Sequence, residues 1–450
     1  MVGGGISGLG VAYALHRAGI RVYLLEGRDS VGGVIHSELR DGYLIESGPN
    51  SALNNSLEVE QVLGELGLLD QRVFASPSAR KRFIARDARP LPLPMSPIQF
   101  VTTPLWSARA KWRLLAEPFI PRASPEHEET VAEFVTRRLG HEVLDYAVDP
   151  FVSGVYAGSP DTLSMRSTFP TLFGLEREHG GLVRGALASL RRSRPPRPAR
   201  RGIYSFRTGM AALPLGIAER LGERVWRKAS VTVLTKTSNG FRLDVERAGS
   251  SVQVDADRVI LATPADRASL LLRSFAPALA AELVAVAYAP IAVVFTGFPR
   301  GAVTHRLDGF GCLVPSIEGR PLLGSLWNST LFPGRAPDGM VACTNYLGGS
   351  RHPEILDRSD DELLGLVTRD LSELLGTPAT PTFARVIRHA RGIPQYLVGH
   401  ATRLVRIQGE VDRVPGLSLV GNYLHGVAVG DCLVRGLTLG REVAAAIGRL

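Results

Sequence analysis

Cysteine is scarce: Cys312, Cys343 and Cys432 are the only three in 450 residues, odd in number and far apart, with no C-x-x-C pair. Without a His-rich partner segment beside them, neither a structural zinc site nor a disulfide framework is expected, and the implied compartment is a reducing one. Leader features are lacking too. The start, Met1-Val2-Gly3-Gly4-Gly5, has no basic n-region and no apolar h-region, so a cleaved signal is not expected. Long hydrophobic runs are also missing. The uncharged run from Leu283 to Phe298 is broken by Pro290, whereas a membrane-spanning helix needs about 20 apolar residues. That run reads as a buried strand after a turn.

Acidic charge is in deficit, with 43 Asp and Glu against 52 Lys and Arg, a formal balance of +9. Such a surplus suits an anionic partner: nucleic acid, a lipid surface or a polycarboxylate. No zinc-finger spacing and no basic stripe interleaved with aromatics accompanies it, which argues against nucleic acid. Much of the surplus sits in Arg191 to Arg201 (RRSRPPRPARR), where prolines and like charges predict a solvated, mobile loop. Apolar residues, by contrast, are plentiful. At 45% hydrophobic and 21% charged, the chain can bury a large core divided over two or three domains.

The strongest local pattern is Gly3-x-Gly5-x-x-Gly8, followed by a predicted helix from Ser7 to Ala18 and a predicted strand from Arg21 to Glu26. Turn, helix and strand in this order match a dinucleotide-binding βαβ unit. The glycines allow a tight turn and close approach of a pyrophosphate to backbone N–H groups at a helix N-terminus, and Glu26 would accept hydrogen bonds from a ribose. Only Met1 and Val2 precede the glycines. A first strand that short would leave the central position of the sheet unpaired and weaken the cofactor's support.

Further along, periodicity predicts a helix over Leu57 to Leu66, one opened by Gly209 to Pro214, strands at Val231–Leu234, Phe241–Val245 and Arg258–Pro264, and a closing strand and helix at Leu417–Gly421 and about Val434 to Ile447. The β-rich runs Ile291–Phe295, Gly324–Trp327 and Met340–Leu347, with a helix over Asp360–Leu375, read as a second domain. From about 92 to 165, prolines give way to Trp106, Trp112, Leu114, Leu115 and Phe119 mixed with Arg109, Lys111 and Arg113. This stretch reads equally as a membrane-surface element or as a helical subdomain with a solvated basic face.

The pair Gly32-Gly33 after the acidic strand end, and the later Gly48-Pro49, resemble the amine-oxidase-type FAD family. FAD is then preferred over NAD. Ser30 stands where that family has a basic residue two positions before Gly-Gly, which leaves Arg28 to serve the phosphates. Within the superfamily the whole chain resembles protoporphyrinogen oxidases through GGGISGL, GPNS, KRFIARDARPLPLP, FVSGVYAGSPDTLSMRSTFP, FRTGMAALP, VILATPA, YAPIAVVFTGF, GFGCLVP, STLFPGRAP, GIPQYLVGH and GNYLHGVAVGDC, in the family order.

The resemblance implies an α/β fold with three parts. These are a Rossmann-like FAD-binding domain (1–75, 203–268 and 393–450), a β-rich substrate domain (76–95, 166–202 and 269–392) and a helical, membrane-associated subdomain (96–165). For the cofactor it implies Gly3, Gly4, Gly5, Ile6, Ser7, Gly8, Glu26, Gly27, Arg28, Gly32, Gly33 and Thr263, with the backbone of Val231 at the adenine. Val34, Gly48, Pro49, Asn50 and Ser51 would line the flavin, and Asn422, Val427, Ala428 and Val429 would close over it. A helix starting near Asp431 would aim its positive end at the ring edge that becomes anionic on reduction. For substrate it implies Arg82 against a propionate, Leu313 and Phe332 around a pyrrole ring, and the Gly154 carbonyl facing the tetrapyrrole N–H groups.

The activity so implied is removal of six electrons from protoporphyrinogen IX in three hydride transfers to FAD, each with loss of a pyrrole proton, with O2 as acceptor and H2O2 released. Coproporphyrinogen III, with four carboxylates, is the alternative substrate. A flavin amine oxidase, a carotenoid desaturase and a non-catalytic FAD- or haem-intermediate-binding protein are more distant readings. No Ser-His-Asp set, metal cluster or marked carboxylate pair is evident, so no catalytic side chain is assigned, and His36, His305, His389, His400 and His425 are left as structural residues. The implied setting is cytoplasmic, peripheral on the inner cell membrane, as a homodimer handing product to a ferrochelatase.

Overall fold

A computed structural model of the protein describes residues 1–124, 127–190 and 198–448. Most of the predicted Arg/Pro loop, residues 191–197, therefore lies outside the described residues.

The glycine-rich start does pair. Val2 bridges in parallel to Leu25 on one side and Leu261 on the other. Val2 N donates to Ile260 O at 2.9 Å, Leu25 N to Met1 O at 2.9 Å and Ala262 N to Val2 O at 2.8 Å. The expected vacancy at the centre of the sheet is thus filled by a stub, because each of its backbone groups finds a partner on a neighbouring strand. Across the sheet lie Val225–Trp226, Leu24–Leu25, Val2, Val259–Leu261 and Leu417–Leu419, all parallel. The strand expected over Arg21 to Glu26 is regular only at Leu24–Leu25, since its partner Val225–Trp226 is itself two residues long.

One face of this sheet carries the helix Ile6–Arg17, crossed by the C-terminal helix Val429–Ile447. The two backbones touch: a Cβ on Gly436 would lie 2.3 Å from Ser7 O, and one on Gly440 2.6 Å from Ala14 Cβ. The C-terminal helix starts at Val429, not near Val434, so Asp431 falls within its first turn. The other face packs Leu261, Leu283 and Ile407 against the antiparallel strands Ala229–Thr237, Gly240–Arg247 and Ser250–Ala256.

A second, mixed sheet has seven strands in the order Phe383–Pro394, Tyr288–Pro299, Met340–Gly348, Leu322–Leu326, Gly309–Leu313, Lys81–Arg86 and Arg89–Pro92. Pro290 sits where the first pairing slips between Ala289 and Ile291, a bulge that spares the sheet a missing donor. Helix Asp360–Leu375 forms where predicted. Ser359 and Glu362 close a capping box, Gly376 ends it with positive φ, and Leu363, Val367 and Leu371 pack on Phe83 and Val294.

The helical segment from 97 to 190, which runs past the expected boundary at 165, includes Pro97–Thr102, Ala108–Leu115, Val131–Leu139, Asp149–Tyr156, Pro170–His179 and Leu182–Leu190. A buried ionic cluster ties it together. Arg138, fully buried, donates to Glu117 at 3.1 Å, to Glu176 at 2.9 Å and to Gly180 O at 3.0 Å, while Arg137 pairs with Glu129 at 2.6 Å. Among the described residues, no helix is long and apolar enough to cross a membrane.

Candidate cofactor and substrate site

The entry turn is built around backbone contact. Gly3 has φ +103°, and a Cβ there would lie 2.9 Å from the Ala262 carbonyl; one on Gly8 would lie 2.2 Å from Gly3 O. Gly5 differs: its φ is −67°, and an added Cβ would meet no protein atom within 4 Å. Helix Ile6–Arg17 starts there with no side-chain cap and no acid in its first turn. The N–H groups of Ile6, Ser7 and Gly8 therefore precede the first intrahelical bond, from Leu9 N to Gly5 O at 2.9 Å.

Glu26 is buried at the strand end, where Oε2 accepts Gly4 N at 2.8 Å and Oε1 accepts Arg28 N at 2.9 Å. The Arg28 side chain is mostly exposed and stands 3.7 Å from Glu26. The Gly-Gly pair folds back on the turn: Gly32 N donates to Gly4 O at 2.8 Å, and a Cβ on Gly33 would lie 3.4 Å from Gly5 Cα. Gly27 abuts Ser230, next to Val231, and Thr263 follows Ala262 with its buried Oγ1 unpartnered. The structure thus brings Gly3 to Gly8, Glu26 to Arg28, Gly32, Gly33, Val231 and Thr263 into one cradle.

Toward the second sheet, Val34 is 43% exposed although apolar, and its carbonyl lies 2.3 Å from where a Gly48 Cβ would sit. Asn50, followed by Ser51 and preceded by Pro49, anchors this wall. Its Nδ2 donates to Tyr346 OH at 2.7 Å and its Oδ1 accepts Asn328 Nδ2 at 2.6 Å, with Thr344 donating to Asn328 at 2.9 Å. Sequence reasoning missed Asn328, Thr344 and Tyr346, which join Asn50 from almost 300 residues away. His389 Nε2 donates to Ser47 O at 2.7 Å.

The Asn422 carbonyl accepts the Tyr396 hydroxyl, and Tyr396 stacks on His400 with centroids 4.5 Å apart. Burial pushes His400 down to about 4 and raises Tyr396 and Tyr346, so at neutral pH the ring is uncharged and both phenols are protonated. Ala428 begins the C-terminal helix without a side-chain cap. Burial raises Asp431 in its first turn, against the pull of Arg435.

Val427 packs in one cluster with Tyr156, Tyr396 and Leu313. A Cβ on Gly154 would lie 2.6 Å from Leu313 Cδ2, so these two residues are in contact. Arg82, exposed, lies with its guanidinium 5.4 Å from the Phe310 ring, and Phe310 packs on Phe332. Phe332 itself is 2% exposed, beside Leu331 and Ala79. Strands Lys81–Arg86 and Gly309–Leu313 pair in parallel and thereby join the Arg82 and Leu313 regions. Among the described residues, no group of three or more His, Cys, Asp or Glu is placed to hold a metal ion.

Free space above Gly5, uncapped N–H groups and the orphaned Thr263 hydroxyl fit a dinucleotide pyrophosphate. A model of the family of flavin containing amine oxidoreductases matches residues 6–444. The chain belongs to the flavin containing amine oxidoreductase family. Like other members of the family, it is an FAD-dependent oxidoreductase, and its fold is the family's FAD-binding α/β fold. Protoporphyrinogen oxidase 1 of Spinacia oleracea chloroplasts is 36% identical, covering 96% of this chain and 81% of its own length. Chloroplastic protoporphyrinogen oxidase of Nicotiana tabacum is 34% identical over 100% of this chain and 86% of its own. The coproporphyrinogen III oxidase of Bacillus subtilis is 28% identical over 97% and 95%. A solved structure from Exiguobacterium sp. 255-15, provisionally named a protoporphyrinogen oxidase, superposes with a TM-score of 0.83 at 25% identity over 99% of this chain and 98% of that one.

Proposed function

We propose that this flavoenzyme oxidises protoporphyrinogen IX to protoporphyrin IX with O2 as acceptor. The observation that carries the reading is identity of 34–36% to named protoporphyrinogen oxidases over nearly the whole chain. Bound FAD supplies the hydride acceptor, and three rounds with O2 account for six electrons and three H2O2. The protein's part is to bind, orient and exclude water. Gly3 to Gly8, Gly32 and Gly33 hold the pyrophosphate, Glu26 the ribose, Gly27, Arg28 and Thr263 the adjoining groups, and the Val231 backbone the adenine. Val34, Gly48 to Ser51, Asn422 and Val427 to Val429 enclose the isoalloxazine. Leu313, Phe332 and the Gly154 carbonyl receive the macrocycle, and Arg82 takes a propionate. No side chain is assigned as a base.

Coproporphyrinogen III is the second reading, favoured by the Bacillus subtilis relative and the +9 charge. Rates with both porphyrinogens decide between them: faster turnover of the tetracarboxylate would overturn the first reading.

The division into 1–75 + 203–268 + 393–450, 76–95 + 166–202 + 269–392 and 96–165 also belongs to this proposal. For the last part we place a membrane surface against Ile98, Val101, Trp112, Leu115 and Phe119, each more than 60% exposed. Trp112→Glu with Phe119→Glu is expected to abolish flotation with anionic liposomes, and wild-type protein that stays soluble in that assay contradicts the contact. A cytoplasmic enzyme on the inner membrane, dimeric and passing product to a ferrochelatase, completes the reading. Sedimentation and co-elution with a ferrochelatase test the last two points.

A further inference from the structure

Where strand Tyr43–Glu46 runs toward Gly48, a buried charge pair joins segments far apart in sequence. Glu46 is 1% exposed and Arg335 2%, with Arg335 Nη1 standing 3.5 Å from Glu46 Oε1. Glu46 also accepts Met210 N at 2.8 Å and the Ser37 hydroxyl at 2.6 Å, and Ser37 Oγ accepts Ala211 N at 3.0 Å. Met210 and Ala211 lead into helix Ala212–Leu221, which has no side-chain cap of its own, so the hairpin of residues 37–46 caps that helix from outside. Arg335 Nη2 reaches Ser205 Oγ at 2.6 Å and Phe206 O at 3.1 Å, and its guanidinium lies 5.3 Å from the Phe332 ring centroid. Its carbonyl accepts Leu44 N at 3.3 Å.

Stability alone does not account for charges in this position. Burial pushes the Glu46 carboxyl up to about 7 and lowers Arg335, each against the other's pull, and Arg335 Nη1 has no hydrogen bond. Apolar side chains of equal volume would fill the same space without that desolvation. What the pair adds is direction. Its oxygens and N–H groups accept only a narrow range of geometry, which sets the register of the hairpin, strand Gly202–Phe206, the helix start and the turn after Phe332. Two of these segments reach the site: Glu46 is followed by Ser47-Gly48, and Arg335 follows Phe332-Pro333-Gly334.

We propose that Glu46 and Arg335 are positioning residues, a buried joint that holds the Phe332 turn in register with the Gly48–Ser51 wall so that substrate meets the flavin in one pose. The substrate half of this inference rests on the function proposed above; the flavin half does not.

Two variants test it: the double variant E46Q/R335M, which leaves neither charge unpaired, and R335K. The double variant is expected to keep its thermal midpoint within a few degrees and to hold FAD stoichiometrically, while its flavin is reduced by porphyrinogen about tenfold more slowly or worse. R335K, which keeps the charge but not the guanidinium Nη2 that reaches Ser205 and Phe206, should fall between. Reduction at the wild-type rate overturns the joint. So does a double variant that fails to fold or to retain FAD, because the pair is then scaffold alone. If wild-type flavin is not reduced by porphyrinogen, the functional reading fails instead, and the joint is judged by the visible circular dichroism of bound flavin. That spectrum should differ between wild type and double variant, and identical spectra overturn the inference.

Discussion

Replacing Gly5 by alanine separates a cofactor cradle from an ordinary tight turn. Its φ of −67° and ψ of 169° suit any residue, and no protein atom lies within 4 Å of an added Cβ. Protein packing therefore gives no reason for glycine; only a ligand brought against the backbone does. Alanine at a helix N-cap costs about 1 kcal/mol, so the apoprotein should melt close to wild type. A methyl group where the pyrophosphate approaches should cost about 1–3 kcal/mol of binding, which is about 5- to 150-fold in the FAD dissociation constant. Gly8→Ala behaves differently. Its Cβ would lie 2.2 Å from Gly3 O, so the turn itself must shift and the apoprotein should lose stability. Titrating apoprotein with FAD by flavin fluorescence, beside a melting curve without FAD, reads both effects. Wild-type FAD affinity in Gly5→Ala would refute the reasoning, since no ligand could then occupy that space.

Three further outcomes follow from the same structure. Arg82→Ala should raise KM for the porphyrinogen about 10- to 100-fold through loss of a charge-assisted hydrogen bond, with flavin reduction at saturation little changed; an unchanged KM removes Arg82 from the substrate site. Arg138→Met strands Glu117 in the interior, while Glu176 keeps Arg137 at 3.0 Å, and should destabilise the protein by about 3–5 kcal/mol, visible as a lowered thermal midpoint; an unaltered midpoint contradicts the buried cluster. Glu46 is raised from 4.5 to about 7 in the folded state, so the folded protein binds that proton more tightly than the unfolded chain. Its contribution must therefore weaken stability as pH rises from 4.5 to about 7 and stay level above, by up to on the order of 3 kcal/mol. Wild-type stability measured relative to Glu46→Gln should fall across that window, and a rise would show the opposite sign of shift.

Local signals were legible in the sequence, and pairings over long distances were not. Ser359, Glu362 and Gly376 mark both ends of helix Asp360–Leu375 with capping chemistry, which needs only nearby residues. Gly3, Gly5 and Gly8 mark the cradle because backbone approach leaves a residue-type signature. Periodicity alone starts the C-terminal helix too late, near Val434, because Ala428 and Gly430 carry no capping side chain to announce its start, whereas the resemblance puts it near Asp431, within the observed first turn. The strand over Arg21 to Glu26 shrank because its length is decided by a partner two hundred residues later. For the same reason the Asn50, Asn328 and Tyr346 contacts and the Glu46–Arg335 pair could not be read from spacing: a buried polar residue carries no local sign of which distant partner satisfies it. Val2 shows the converse, since two-sided pairing of a single residue completes a sheet that sequence length alone leaves open.

Anaerobic mixing of the purified, FAD-loaded protein with protoporphyrinogen IX tests the central claim most directly. The account predicts that the visible absorbance of the oxidised flavin bleaches, and that admitting O2 restores it while porphyrin fluorescence and H2O2 appear. Flavin that stays oxidised in the presence of the porphyrinogen, or a protein that takes up no FAD, would contradict it.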